Sequence, residues 1–252
     1  MDYIDKHSWK CLLGKQSKNI VDNNGICSWE VGKNRNITIY RDLCENDAAL
    51  LQTLSPFHFY YFDSSNIAFL NTIGKVNKAK STSIEIDISD LSYKGRKNHG
   101  IRHSINKAKS YNIAIKNELD NISDLENMIN RWKNTSGDKY FQDHSGKANY
   151  YYGNNNHVDQ INIFCYIANE LVSFGTLSKS DNNKCSYIFG KALCLDYPGL
   201  SEFTDNELYK IAQEKGIRYV NMGQAERGLV FYKMKFNGKK IINYHGKFAY
   251  GK

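Results

Sequence analysis

Between residues 161 and 195 three apolar runs of 8 to 11 residues follow one another, broken only by Asn169-Glu170 and by a four-residue turn at 180–183. Runs joined this tightly can pair only as antiparallel neighbours, because a parallel pair needs a crossover of about a dozen residues or more. The stretches 161–168, 171–178 and 185–195 therefore read as a three-strand meander. Downstream, Thr204-Asp205-Asn206-Glu207 has the form of a capping box, opening a helix with Leu208, Ile211 and Ala212 inward and Gly216 closing it. A short buried strand at 218–222, a helix over 229–236 and a last strand at 241–244 follow.

The first half is written in the same style. Extended segments are expected at 37–40, 57–62 and 67–73, with a short helix over 47–54. Ser83-Ile84-Glu85-Ile86-Asp87-Ile88 alternates strictly, which marks a strand with one buried and one polar face. A loop over 89–100 then leads into a helix with Ile101, Ile105 and Ala108 on one stripe and Arg102, Lys107 and Lys109 off it. Ser123-Asp124-Leu125-Glu126 caps another helix, with Leu125, Met128, Ile129 and Trp132 at helical spacing. Each half thus has strands, a long strand, and a loop leading into a helix. The expectation is two similar α/β units, 1–120 and 121–252, with Tyr150-Tyr151-Tyr152 and Asn154-Asn155-Asn156 in an exposed loop.

Composition narrows the class. At 252 residues, 41% hydrophobic and only 2 prolines, the chain is neither disordered nor collagen-like, and no run approaches the roughly 18 apolar residues of a membrane span. The acidic start, Met1-Asp2-Tyr3-Ile4-Asp5, has no apolar h-region, and the 6 cysteines form no C-x-x-C pair. Cys165, Cys185 and Cys194 fall in apolar runs, where a thiol packs as a small hydrophobe. A reducing cytoplasm is the expected location.

The net charge of +8 is unevenly spread. Residues 94–116 and 227–252 contain no acid and carry +7 each, which leaves the rest of the chain at −6. Localised positive charge on an acidic body suits an anionic partner such as nucleic acid, a phosphorylated cofactor or an anionic lipid; two ordinary solvated faces would give the same count. The first segment contains Lys97-Asn98-His99-Gly100-Ile101-Arg102 at a helix start, where backbone N–H groups and the helix dipole favour phosphate. Arg96, Lys97, Gly100, Arg102 and Lys107 are its candidate phosphate-, tRNA- or CoA-binding residues. This loop approximates the acyl-CoA pyrophosphate pattern (Arg/Gln)-x-x-Gly-x-(Gly/Ala), with Lys97 at its first position and a bulky Arg102 at its last. His99 and His103 have an i, i+4 spacing but lack the glutamate of H-E-x-x-H and a third ligand, so no metal site is expected.

The second segment is more specific. Tyr219-Val220-Asn221-Met222-Gly223 ends a short strand, and Phe231-Tyr232-Lys233-Met234-Lys235-Phe236 follows on a helix, which places a lysine near a strand end. The same spacing also serves an amphipathic helix with Leu229, Tyr232 and Phe236 inward and its lysines in water. Asp196, Glu202 and Glu226 are candidate carboxylates near strand ends, none of them distinguished as a general base.

In the order of these elements, from Asn169-Glu170-Leu171-Val172-Ser173-Phe174 through Gly216-Ile217-Arg218-Tyr219-Val220-Asn221-Met222-Gly223 to the 231–238 motif, and in Lys94-Gly95-Arg96-Lys97 before the helix at Ile105-Asn106-Lys107-Ala108, the chain resembles the tandem acetyltransferase-fold (GNAT-like) aminoacyltransferases. These are the C-terminal domain of lysylphosphatidylglycerol synthases and the Fem peptidoglycan-bridge enzymes. The resemblance, over roughly residues 80–250, implies two acetyltransferase-like units in tandem, with mixed, mainly antiparallel sheets flanked by helices. It implies transfer of an aminoacyl group from aminoacyl-tRNA to an amine or hydroxyl, without a metal, a tightly bound cofactor or a covalent enzyme intermediate. It matches Lys233 to the lysine and Phe236 to the last Phe of the family's Phe-Lys-x-x-Phe motif. Lys233 is thereby an expected catalytic residue and Phe236 a substrate-binding one; beside them Tyr232, as a hydrogen-bond donor, is the second catalytic candidate, Asn221 and Gly223 at the strand end are the other substrate-binding candidates, and Lys235 joins the phosphate-binding set. The coiled-coil insertion and membrane domain of the relatives are missing, so the acceptor is left as a small molecule, a peptide or a lipid-linked group. An acyl-CoA-dependent N-acyltransferase and a non-catalytic RNA-binding protein are the alternatives. If tRNA is the partner, both cationic segments should border one cleft.

Overall fold

The structure, a computed structural model, describes residues 17–23, 25–39, 41–136, 160–179, 183–224 and 227–251. The loop expected around 150–156, Cys11 and Glu226 lie outside these residues. A first series of elements comprises β1 (Ser17–Asn23), β2 (Ile26–Val31), β3 (Asn34–Ile39), α1 (Ala48–Leu54), β4 (Phe57–Phe62), α2 (Ser64–Ile73) and β5 (Gly74–Asp87). A 3-10 turn at Arg96–Asn98, α3 (His99–Lys109), β6 (Ala114–Lys116) and α4 (Ile122–Ser136) lead into the second. That series comprises β7 (Gln160–Ile167), β8 (Glu170–Lys179), β9 (Lys184–Ala192), α5 (Leu200–Glu214), β10 (Tyr219–Gln224), α6 (Arg227–Met234) and β11 (Lys239–Tyr250).

The eleven strands of the described residues form one sheet, in the order β1-β2-β3-β4-β11-β5-β10-β9-β8-β7-β6. It is mostly antiparallel, with two parallel contacts at matching places, β3 with β4 and β9 with β10. The long strands β5 and β11 run side by side from Lys239↔Glu85 to Tyr250↔Gly74. Each then pairs with the short strand of the other series, β4 with β11 and β10 with β5. The sheet is therefore continuous across the chain's midpoint. Close approach at its centre explains Gly246: a Cβ there would collide with the Asn77 carbonyl.

Two apolar clusters flank the sheet. Ile26, Ile37, Leu51, Phe57, Phe59, Leu70 and Phe248 pack in one, under α1 and α2. The other holds Ile84, Ile86 and Ile88 together with Ile101, Ile105 and Ala108 of α3, Leu208 and Tyr209 of α5, and Phe236. The expected stripe of α3 is thus buried, and the meander forms as read from the sequence. Cys165 and Cys185 are buried in the meander, whereas Cys194 lies past the end of β9 and is exposed.

Three local expectations are corrected. Residues 67–73 belong to α2, not to a strand: Asp63 accepts the Asn66 N–H at 2.9 Å, and Asn66, Ile67 and Leu70 bury one helical face. The helix after the meander starts at Leu200 behind Gly199, whose φ of 89° suits glycine, so Thr204-Asp205-Asn206-Glu207 lies inside α5 and does not cap it. The Thr204 hydroxyl donates back to the Leu200 carbonyl at 2.8 Å, the bond of a helix-interior threonine. In α6, Leu229 is 45% exposed and Lys233 is buried, with Phe236 buried in the turn just past the helix.

Candidate active site

The parallel pair β9–β10 is short. It runs through Tyr219↔Lys184, Val220↔Cys185 and Asn221↔Ser186, after which β9 continues beside β8 while β10 stays beside β5. On the β5 side the register of β10 shifts between Asn221 and Gln224, a bulge of the kind that re-aims backbone groups beside active sites. The sequence builds it directly. The Asn221 side chain accepts the Gly223 N–H at 2.6 Å, and Gly223 adopts a φ of 67°. At this bulge the Met222 carbonyl accepts a hydrogen bond from Lys233 Nζ.

Lys233 is only 8% exposed. The groups linked to it through the Met222 carbonyl and Asp205 come from α5, α6, β9 and β10. Tyr232 donates its hydroxyl to Asp205 Oδ2 at 2.7 Å, and Tyr187 of β9 donates to Asp205 Oδ1 at 2.9 Å. Tyr209 of α5 donates to the Met222 sulfur at 2.9 Å. The Phe236 ring meets Tyr232, Tyr209 and Tyr93 edge-on at 5.6, 5.4 and 6.1 Å between centroids. Gly190 makes room for this cluster: a Cβ there would collide with the Tyr187 hydroxyl.

Burial dominates the electrostatics. It pushes Asp205 up to about 6 against the lowering effect of the two tyrosine hydroxyls, and it pushes Lys233 down to about 8 against the opposing pull of Asp205. The Tyr232 and Tyr209 phenols are raised well above their ordinary value, first by burial and then by the charge of Asp205. Near neutral pH the site therefore holds an ammonium and a carboxylate in a largely apolar, tyrosine-lined setting, where a donor aimed at developing negative charge acts strongly.

The structure gathers Lys233, Tyr232, Phe236, Asn221 and Gly223 at the junction of β10 and α6. Asn221 and Gly223 shape the bulge. Lys235 is exposed on the rim, ion-paired to Glu202 at 2.8 Å and 5.6 Å from the Tyr232 ring centre. Arg96, Lys97 and Gly100 are exposed at the start of α3. Arg102 donates to the Tyr93 and Gly95 carbonyls, which ties the loop before α3 to its helix. Lys107 is exposed in the last turn of α3, about 10 Å along the axis from Gly100. Tyr93, the residue before the first cationic segment, packs edge-on against Phe236 of the second. Of the carboxylates, Asp196 is tied to Arg131 at 3.0 Å and Glu202 to Lys235. Among the described residues no group of three His, Cys, Asp or Glu is placed to hold a metal, and no helix is long and apolar enough to cross a membrane.

Asp205, Tyr187, Tyr209 and Tyr93 are the residues the sequence reading missed. A signal was present for Asp205. Thr204, Asp205 and Asn206 sit just past Pro198-Gly199-Leu200, a natural helix start, and three polar residues one turn inside a helix call for buried partners.

The sequence pattern of the family "Phosphatidylglycerol lysyltransferase, C-terminal" matches residues 49–243, well over half of the chain. No curated protein matches the chain itself. Among solved structures, L-PGS from Bacillus licheniformis aligns over 95% of this chain and 85% of its own at 16% identity, with a TM-score of 0.67. FemX aligns over 96% and 90% at 13% identity, TM-score 0.65. A GCN5-related N-acetyltransferase from Kribbella flavida aligns over 98% and 94% at 8% identity, TM-score 0.51. The fold is thus that of the GNAT-like transferases.

Proposed function

The chain belongs to the phosphatidylglycerol lysyltransferase C-terminal family, a family of acyltransferases, and from that premise we propose that it moves an aminoacyl group from aminoacyl-tRNA to an amine or hydroxyl of an acceptor. The observation that carries this reading is Lys233, a buried cation fixed by the Met222 carbonyl at the open end of the β9–β10 pair. In the reaction the acceptor nitrogen or oxygen bonds to the ester carbonyl carbon, the bond from that carbon to the ribose oxygen breaks, and the acceptor's proton ends on the ribose hydroxyl. Negative charge grows on the carbonyl oxygen on the way. The Lys233 ammonium, which has three N–H donors, stabilises it, an effect commonly worth about 10²- to 10³-fold in rate. The Tyr232 hydroxyl, given to Asp205, orients rather than transfers protons. Phe236 and the tyrosine rings exclude water, and the exposed Arg96, Lys97 and Lys107, with Lys235 on the rim, contact the phosphates of the acceptor arm, which makes binding salt-dependent.

The same proposal places the protein in the cytoplasm, where charged tRNA is found, and gives it no tightly bound cofactor. Its acceptor is a small molecule, a peptide or a lipid-linked group. It also holds two acetyltransferase-like units in tandem, divided in the chain near residue 120 and sharing β5 and β11 within one sheet; the recurring element order supports this.

Acyl-CoA as donor is the second reading, favoured by the likeness to the N-acetyltransferase fold. The first turn of α5 speaks against it. There the Leu200 N–H is taken by the Tyr197 carbonyl, the Ser201 backbone and hydroxyl engage Cys194, and Glu202 adds a negative charge. A helix start so occupied offers little to a pyrophosphate. The test is consumption of bulk charged tRNA and of acetyl-CoA in parallel: loss of the tRNA ester alone supports the proposal, loss of acetyl-CoA supports the second reading, and RNA binding with neither donor consumed leaves a non-catalytic RNA-binding protein.

A further inference from the structure

The Lys233 site contains a second buried ionisable group that neither the motif nor the proposed chemistry uses. Asp205 lies on the inward face of α5, 4% exposed, and both of its carboxylate oxygens are taken by neutral hydroxyls from two other elements, Tyr187 of β9 and Tyr232 of α6. One of those bonds comes from the residue that follows the last β9–β10 pair, Asn221↔Ser186. They join the helix that carries Lys233 to the helix and strand on its other side. Carboxylates kept for stability are ordinarily matched to a cation or a helix start; this one takes neutral hydroxyls on both oxygens one turn inside α5, with Lys233 as the cation that favours its ionisation. Glu202, one turn earlier on the same helix, already pairs with Lys235.

We propose that Asp205 is a positioning residue of this site: by accepting the Tyr187 and Tyr232 hydroxyls it fixes α6 against α5 and β9, and its negative charge keeps the Lys233 ammonium protonated while the site works. This deepens, and rests on, the reading of Lys233 as the group at the reacting carbonyl. The groups that face Asp205 are Tyr187 from β9, Tyr232 and Lys233 from α6, Glu202 and Tyr209 from α5 itself, and Tyr93 from the loop before α3. Glu202 opposes ionisation of Asp205 and Lys233 favours it, while Asp205 in turn favours the charged form of Lys233. With Asp205 losing its proton at about 6 and Lys233 at about 8, the working state, carboxylate with ammonium, fills the window between them.

The test uses the full chain labelled with [¹⁵N]lysine, following the Nζ resonance that disappears in Lys233→Met. In the wild-type protein it is expected to titrate at about 8; in Asp205→Asn the midpoint is expected at lower pH, because the favourable charge is gone. An unchanged midpoint in folded Asp205→Asn overturns the proposal. If that variant does not fold, Tyr187→Phe replaces it: loss of one hydroxyl to the carboxylate holds the proton on Asp205 to higher pH, so the acid-side step in the Lys233 curve moves up, and an unmoved step overturns the proposal. Consumption of charged tRNA gives the second readout, since the acid limb of its pH profile is present in wild type and absent in Asp205→Asn. The two readings fail separately. Full consumption by Lys233→Met removes the catalytic reading, whereas an inactive Lys233→Met beside an Asp205→Asn variant with an unmoved acid limb and Lys233 midpoint removes this inference alone.

Discussion

Each series of the sheet buries an aspartate, and the two are held in opposite ways. Asp47, at the start of α1, receives both guanidinium nitrogens of Arg41 at 2.6 and 2.7 Å and the Cys44 N–H at 2.9 Å. The Arg41 hydrogen bonds dominate and bring its carboxyl down to about 2. Asp205, inside α5, receives two phenols and is pushed up to about 6 by burial. The following helices differ in the same sense. On its buried face α2 carries Ile67, Leu70 and Asn66, whose amide accepts the Leu43 N–H and donates to the Arg41 carbonyl, whereas α6 turns Lys233 inward. One arrangement of strands and helices thus supports a half whose buried charge is neutralised for stability and a half whose buried charges oppose burial. The second pattern is the one that marks a reaction site.

Mutations at the two aspartates should have opposite signs. Asp47→Ala removes a cation's partner and the turn before α1, and should cost about 2 to 4 kcal/mol in urea unfolding while leaving donor consumption per folded molecule unchanged. Because the folded carboxyl of Asp47 lies below its ordinary value, its contribution is present above pH 4 and is lost as the pH falls towards 2. A folded but inactive Asp47→Ala would break the comparison. Asp205→Asn should instead stabilise the protein at pH 7.5, by an amount on the order of 1 to 3 kcal/mol. Its folded carboxyl lies above the ordinary value, so the native state binds the extra proton and wild-type stability falls as the pH rises from about 4 through 6. The gain should therefore vanish at pH 4, and a loss of stability at pH 7.5 would make Asp205 a structural residue like Asp47. The smallest effect is expected for Tyr187→Phe, about 0.5 to 1.5 kcal/mol in unfolding, with the Asp205 titration moved upward.

Much of this comparison was legible before the fold was known. The alternation at Ile84, Ile86 and Ile88, the α3 stripe and the punctuated meander each carried a single period and formed as read. Residues 67–73 did not, because a short apolar run fits a strand and a buried helix face equally; only Asp63, capping from outside the run, settles it. The last strand reads as four residues from its apolar run but extends from Lys239 to Tyr250, since its lysines and glycine hide a ladder set by pairing with β5 and β4. At the site, Lys233 was visible through its motif. Asp205 was not, because a plausible capping box accounted for its polarity, and only three-dimensional packing shows that its partners are tyrosines 18 residues before it and 27 after it.

The central claim is that the buried Lys233 is the group at the reacting carbonyl. Consumption of bulk charged tRNA by wild type and by Lys233→Ala, with RNA affinity measured on the same samples, tests it most directly. The account predicts a loss of turnover of about 10²-fold or more with affinity held within a few-fold; a Lys233→Ala variant that consumes the donor at the wild-type rate contradicts it.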